Sequence, residues 1–259
     1  MTSLMRILIS NDDGIHAPGL EVLENIAREL SDDVWIVAPE GEQSGASHSL
    51  TLTRPLRLRR YGDKRYSVSG TPTDCVMMAL NHLMKDNLPT LILSGVNRGA
   101  NMAEDITYSG TCSVAMEATL VNIPSIALSQ RLSPDREKRW EPVEKYGLAV
   151  IKRLLAQDWQ KGTFYNVNFP PCAGDEVKGL RMVAQGHREF AGIKIHESKD
   201  PRGFPYFWLG LGRDEGKVDE TTDLGVVNNQ YISVTPVHLQ LTEYGTLKRQ
   251  KSSVDMDFD

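Results

Sequence analysis

Arg6-Ile7-Leu8-Ile9-Ser10-Asn11-Asp12-Asp13-Gly14 runs from a short apolar stretch straight into two adjacent carboxylates and a glycine. Residues Arg6 to Ser10 read as a buried parallel strand, because helices cover both faces of such a sheet and permit an unbroken apolar run. Two neighbouring carboxylates at its mouth repel each other and lose hydration. A divalent cation bound through oxygen ligands relieves that cost, and Mg²⁺ or Mn²⁺ suits such a hard site. The pair Asp12 and Asp13 therefore suggests a metal site in the crevice beyond the carboxyl ends of the strands. The same four residues, Asn11 to Gly14, also make an ordinary polar turn. This segment alone does not separate the two readings.

Outward from this stretch, strands and helices alternate. A helix follows with Pro18 near its start and Leu20, Leu23, Ile26, Ala27 and Leu30 on one stripe. Val34 to Val37 is the next strand, closed by Ala38-Pro39, and a hairpin region is expected from about Leu50 to Val68. Thr71-Pro72 reads as an N-cap with proline at the first helical position, leading a helix through Val76, Leu80 and Leu83. Thr90 to Leu93 is a third buried strand, followed by a loop from Ser94 to Asn101. Tyr108-Ser109-Gly110-Thr111 opens a helix packed through Ala115 and Ala118, and Ile123 to Ser129 is a fourth strand. This rhythm predicts an α/β fold with a doubly wound, mostly parallel sheet.

The pattern changes after Leu132. Ser133 to Glu144 is charged and predicts a loop, then a helix to about Ala156 and a strand at Phe164 to Phe169. From Val183 onward short β-like pieces and glycines dominate, with Tyr231 to Val237 the clearest strand. The expected organisation is a catalytic core over residues 1–182, a β-rich extension over 183–247 and a flexible tail over 248–259.

Composition narrows the function classes. With 259 residues, 40% hydrophobic and 24% charged, the chain suits one large domain or a core with an appendage, not global disorder. Its net charge of −5 and scattered cations argue against binding nucleic-acid polymers or anionic membranes. The densest basic run, Arg54 to Arg60, alternates as a strand with Leu56 and Leu58 inward and Arg57 and Arg59 in solvent. Three scattered cysteines suit neither a disulfide framework nor a zinc site, and Cys75 and Cys112 read as small core residues. With no secretory leader and no apolar stretch of membrane-spanning length, the chain reads as cytoplasmic.

The first three parallel strands end in polar loops, at Asn11-Asp12-Asp13-Gly14, Gln43-Ser44-Gly45-Ala46-Ser47 and Ser94 to Asn101. In a doubly wound sheet such loops converge on one edge, where they offer carboxylates, hydroxyls and amide oxygens to a hard cation. The helix start at Ser109-Gly110-Thr111 suits a phosphate. Together these suggest metal-assisted phosphoester hydrolysis. Taken singly, Ser109 or Thr111 could cap a helix, Asn97 and Asn101 could be turn residues, and His16 could be a surface group. No G-x-G-x-x-G, P-loop or G-x-S-x-G motif competes.

The chain resembles the stationary-phase survival protein SurE family. The matching motifs are Ser10 to Gly19, Ala38-Pro39 with Ser44 to Ser47, Gly70 to Val76, Ser94 to Asn101 and Tyr108 to Thr111. They continue through Asn166-Val167-Asn168, Asp200 to Gly203, Thr222-Asp223 and Val234 to Pro236. The chain departs from the family's usual pattern at Cys112 and Ala118, which are packing positions.

The resemblance implies a divalent-metal-dependent 5′-nucleotidase acting on nucleoside monophosphates, with a Rossmann-like core. It implies one Mg, Mn or Co ion per subunit, held by Asp12, Asp13, Ser44 and Asn97, with phosphate contacted by Asn101, Ser109, Gly110 and Thr111. Asp12 and Asp13 are then the catalytic pair, with water preferred as the nucleophile because both are committed to metal. The C-terminal extension is expected to be exchanged between subunits of a homodimer or homotetramer. Two other activities remain open: a broad phosphate-ester or exopolyphosphate phosphatase, and a non-catalytic nucleotide-binding stress-response module.

Overall fold

The computed structural model describes residues 5–132, 140–188, 190–213 and 218–258. β1 (Arg6–Ser10) leads through α1 (Pro18–Arg28) to β2 (Asp33–Pro39), and β3 (Leu58–Gly62) pairs with β4 (Arg65–Val68). α2 (Pro72–Met78) continues into a π-helical turn at Ala79–Leu83. Next come β5 (Leu91–Arg98), α3 (Asp105–Tyr108), α4 (Gly110–Leu120), β6 (Ser125–Gln130), α5 (Glu141–Leu155) and β7 (Thr163–Phe169). The C-terminal part contains β8 (Gly179–Met182), β9 (Phe190–Lys199), β10 (Pro205–Arg213), α6 (Asp223–Asn228), β11 (Tyr231–His238) and α7 (Tyr244–Val254).

A nine-stranded sheet runs in the order β3-β4-β2-β1-β5-β6-β7-β11-β8. The central pairs β2–β1, β1–β5, β5–β6 and β6–β7 are all parallel. The mostly parallel α/β fold expected from the strand–helix rhythm is therefore present. Ile7 and Ile9 pack into the core shared with α1 and α5, while Leu8 packs on the opposite face with residues of α2 and α4. Burial on both faces explains the unbroken apolar run, each fully buried Ile or Leu contributing about 1.5–3 kcal/mol. From β1 the sheet extends to β2 on one side and β5 on the other. The crevice beyond β1 and β5 is thus the switch point where such sheets bind ligands.

Some elements differ from expectation. β5 does not stop at Leu93 but continues through Arg98, its pairing with β6 shifting between Ser94 and Asn97. At that shift Gly95 has a φ of 123°, and a Cβ there would lie 2.2 Å from the Leu128 carbonyl oxygen. Glycine permits this close passage, and the polar Ser94-Gly95-Val96-Asn97 sequence hides the strand behind loop-like composition. The expected hairpin is also shorter, beginning at Leu58. Its Leu56 and Leu58 pack against the core while Arg57 and Arg59 stay exposed, and Cys75 and Cys112 are fully buried, as predicted.

Thr71 caps α2 in a reciprocal box with Asp74, with Pro72 in the first turn. Within the expected extension, β9 and β10 form a separate two-stranded sheet. Tyr206, Phe207 and Trp208 of β10, and Phe204 just before it, are all exposed. β11, in contrast, pairs antiparallel with β7 inside the main sheet. Where weak patterning suggested a tail, Lys248 to Val254 continue helix α7, which buries none of its residues. Within the expected Ser133 to Glu144 loop, residues 133–139 lie outside the described residues, and α5 begins at Glu141. Among the described residues no helix is long and apolar enough to cross a membrane.

Candidate metal and phosphate site

The loop after β1 is shaped by Asn11. Its side-chain amide donates to the Gly14 carbonyl at 3.0 Å and accepts from the Gly14 N–H at 3.2 Å. These bonds present the following carboxylates in a fixed order. Asp12 turns inward, with only 5% of its surface exposed, and its Oδ1 accepts from the Thr111 hydroxyl at 2.5 Å. Asp13 is more open, and its Oδ2 accepts from the Arg98 backbone N–H at 3.0 Å. Burial pushes the Asp12 carboxyl up to about 6, with Asp13 adding repulsion and the Thr111 bond opposing. Burial raises the Asp13 carboxyl as well, against the Arg98 N–H and guanidinium.

The other loops attach to this pair. The Gln43 N–H donates to the Asp12 carbonyl at 2.8 Å, which holds the loop one residue before Ser44. Ser44 itself is exposed, its hydroxyl donating to Glu42 at 2.8 Å. Asn97 donates its side-chain N–H to the Gly99 carbonyl at 2.9 Å, leaving its amide oxygen as the group to offer a cation. Among the described residues no three His, Cys, Asp or Glu side chains form a metal-binding group. Two carboxylates with neutral hydroxyl and amide oxygens make an all-oxygen set, which fits a hard divalent cation and disfavours a thiophilic one.

The α4 N-terminus meets Asp12 directly. Ser109 is its N-cap, its hydroxyl oxygen accepting from the Cys112 N–H at 2.9 Å. A Cβ on Gly110 would fall 2.7 Å from the Asp12 Cβ, so glycine lets the helix start and the buried carboxylate touch. Thr111 does not cap the helix; its hydroxyl serves Asp12. Thr111→Val keeps the side-chain shape and removes that donor. Bonds to charged groups contribute about 1.5–3 kcal/mol, so titration calorimetry at pH 7 should show Mn²⁺ affinity about tenfold weaker. Unchanged affinity would remove Thr111 from the carboxylate's support.

Comparison with known proteins identifies the family. Residues 7–192 match the family model described as survival protein SurE. The chain is 52% identical over 244 residues to 5′-nucleotidase SurE of Erythrobacter litoralis, covering 94% of this chain and 97% of that protein. It is also 52% identical to 5′-nucleotidase SurE of Bradyrhizobium sp. over 92% of this chain and 95% of that one. The chain belongs to the SurE family. Its fold superposes on the crystal structure of the SurE protein from Aquifex aeolicus with a TM-score of 0.82 and 38% identity, covering 96% of this chain and all of that one.

Within this SurE chain the expected site residues fall into linked groups. Asp12, Gly110 and Thr111 are in direct contact. Asp13 reaches the backbone of Arg98, beside Asn97, and Ser44 follows the residue pinned to Asp12. Asn101 is held from another direction, by Ser129 and by Asn166 and Asn168 of β7. Sequence alone gives no individual role to Asn11, Asn166 or Asn168. The signal for the β7 pair was two asparagines spaced by one residue in an otherwise apolar strand, which places both on one face. A cavity of about 890 Å³ lies beside α4, lined by residues including Thr107, Met116, Leu120 and Leu239. None of the expected metal or phosphate residues lines it, so it is separate from the carboxylate pair.

Proposed function

We propose that this chain removes the 5′ phosphate from nucleoside monophosphates, using one divalent cation held by Asp12, Asp13, Ser44 and Asn97. The chain is a 5′-nucleotidase, as its relatives' names and near-complete coverage support. The observation that carries the site is the contact between the buried Asp12 carboxylate and the start of α4. When bound, a divalent ion polarises a phosphate oxygen and lowers the pKa of an attacking water.

The chain supplies the rest. Asp12 and Asp13 provide the negative charge that recruits the cation, and the oxygen of Asn97 completes the neutral part of the set. The N–H groups at Gly110 and Thr111 lie in the first turn of α4, where orphan amides and the helix dipole favour an anion. With Asn101 and the Ser109 hydroxyl they stabilise charge on the equatorial phosphate oxygens, the main protein task in phosphoryl transfer. Water is the nucleophile in this reading, because both aspartates are engaged in the cation site. Trapping a phosphorylated aspartate would overturn that choice.

The test is phosphate release across Mg²⁺, Mn²⁺ and Co²⁺ with nucleoside monophosphates, short polyphosphate and sugar phosphates. Selective release from nucleoside monophosphates supports the proposal. Equal turnover of the whole panel would favour a broad phosphatase, and nucleotide binding without release would favour a non-catalytic module.

The exposed Phe204, Tyr206, Phe207 and Trp208 support a second part of the reading, that the β9–β10 hairpin is covered by another copy in a homodimer or homotetramer. Sedimentation should give a dimer or tetramer mass, with Trp208→Ser shifting it toward monomer. A monomeric parent protein would overturn this part.

A further inference from the structure

We infer that Asn166 and Asn168 are positioning residues that set Asn101 against the start of α4, an assignment resting on the reading of Asn101 as a phosphate contact. Both asparagines lie on β7, in the interior of the sheet, and neither exposes any surface. An uncompensated side-chain amide there is strongly unfavourable, so its bonds account for its presence. Those bonds converge on one residue. Asn168 accepts from the Asn101 N–H at 2.8 Å and donates to the Asn101 carbonyl at 3.1 Å. The side chain thereby grips the backbone of Asn101 as a neighbouring strand would, although Asn101 lies beyond the end of β5.

Asn166 supplies the second tie. It donates to the same Asn101 carbonyl at 2.7 Å, and its oxygen accepts from the Cys112 thiol at 3.8 Å. Cys112 belongs to the first turn of α4, and its backbone N–H is bonded to the Ser109 cap. The two halves of the phosphate cradle, Asn101 and Ser109-Gly110-Thr111, are thus hung from neighbouring positions of one strand. A third contact orients the functional end: the Asn101 side-chain N–H donates to the Ser129 hydroxyl at 2.8 Å. Ser129 is the register neighbour of Asn168 on β6, so the bracket spans adjacent strands of the sheet. None of these bonds reaches Asp12, Asp13, Ser44 or Asn97. The bracket should therefore govern phosphate affinity independently of the cation.

The test is a double-mutant cycle with Asn168→Ser and Asn101→Ala, reading the calorimetric affinity of inorganic phosphate for the Mn²⁺-loaded protein. Mn²⁺ affinity, kcat and KM for a nucleoside monophosphate are measured alongside, with Tm as the folding control. Asn168→Ser is expected to weaken phosphate about tenfold and leave Mn²⁺ affinity within about twofold, and KM should rise more than kcat falls. In the Asn101→Ala background the same substitution should have little further effect on phosphate, since coupled residues are non-additive. Asn166→Ser leaves both Asn168 bonds intact and serves where Asn168→Ser does not fold, with a smaller effect of the same sign. Parent-like phosphate affinity in either folded variant, with Asn101→Ala still weakening it, overturns the positioning role. Parent-like affinity in Asn101→Ala instead removes Asn101 from the phosphate site and overturns the inference with it. Full additivity of the two substitutions would assign Asn168 to general stability and overturn it as well.

Discussion

Asp12→Asn is expected to lower kcat/KM for nucleoside monophosphates by about 10³-fold, while the metal-free variant becomes more stable than its parent above pH 6. Loss of activity follows from removing a charged group from the cation site, where several kcal/mol of transition-state stabilisation originate. The stability gain has a separate cause. Burial lifts the Asp12 carboxyl from 3.8 to about 6, so between these values the folded metal-free protein holds a proton that the unfolded chain has released. Stability from this group therefore declines as pH rises through that window, and the whole penalty is in place above it. It amounts to about 3 kcal/mol, and a neutral amide of similar size escapes it while still accepting from Thr111. Urea unfolding with chelator at pH 8 and at pH 4 tests the sign: the advantage of Asp12→Asn should be present at the first and nearly absent at the second. A folded variant with near-parent turnover at saturating Mn²⁺ would falsify the site assignment.

This conflict between stability and function is also what made the site readable in the sequence. Asp12 stands out because a carboxylate behind Ile7-Leu8-Ile9 is costly without a cation, and the structure buries it as that cost implies. The strands β1, β2 and β6 were legible for the same reason, since continuous apolar runs have few other uses in an α/β chain. β5 was only half legible. Its second half is written in serine, glycine and asparagine, and what keeps it extended is pairing with β6, which no local pattern reveals. Asn166 and Asn168 were visible as a motif but mute about their role, because their partner Asn101 lies more than sixty positions away. Helix α4 shows the same limit from another side. Ser109 and Thr111 look interchangeable as caps in one dimension, and only the fold divides the work, giving the cap to Ser109 and Asp12 to Thr111.

Gly110→Ala is expected to reduce kcat/KM by about 100-fold or more and to weaken Mn²⁺ and phosphate together, unlike Thr111→Val or Asn168→Ser. Helix propensity alone favours alanine over glycine by about 1 kcal/mol in a helix interior, so the substitution would look harmless from sequence. The packing opposes it. The new Cβ would lie 2.7 Å from the Asp12 Cβ, 3.0 Å from the Pro72 Cγ and 3.1 Å from the Asp12 Oδ2. An Asp12 Cβ next to the backbone cannot swing aside like the end of a long side chain, and the Pro72 ring stands at the start of α2. Relief requires α4 to withdraw or Asp12 to rotate, and either movement breaks the 2.5 Å bond from Thr111. Overpacking of this kind costs about 1–3 kcal/mol, which more than cancels the propensity gain, so Tm should fall slightly. Pro72→Ala separates the causes in the Gly110→Ala background. It relieves the contact with the ring but not those with Asp12, so stability should recover in part while turnover stays low. Recovery of turnover with the ring removed would move the decisive contact from Asp12 to α2.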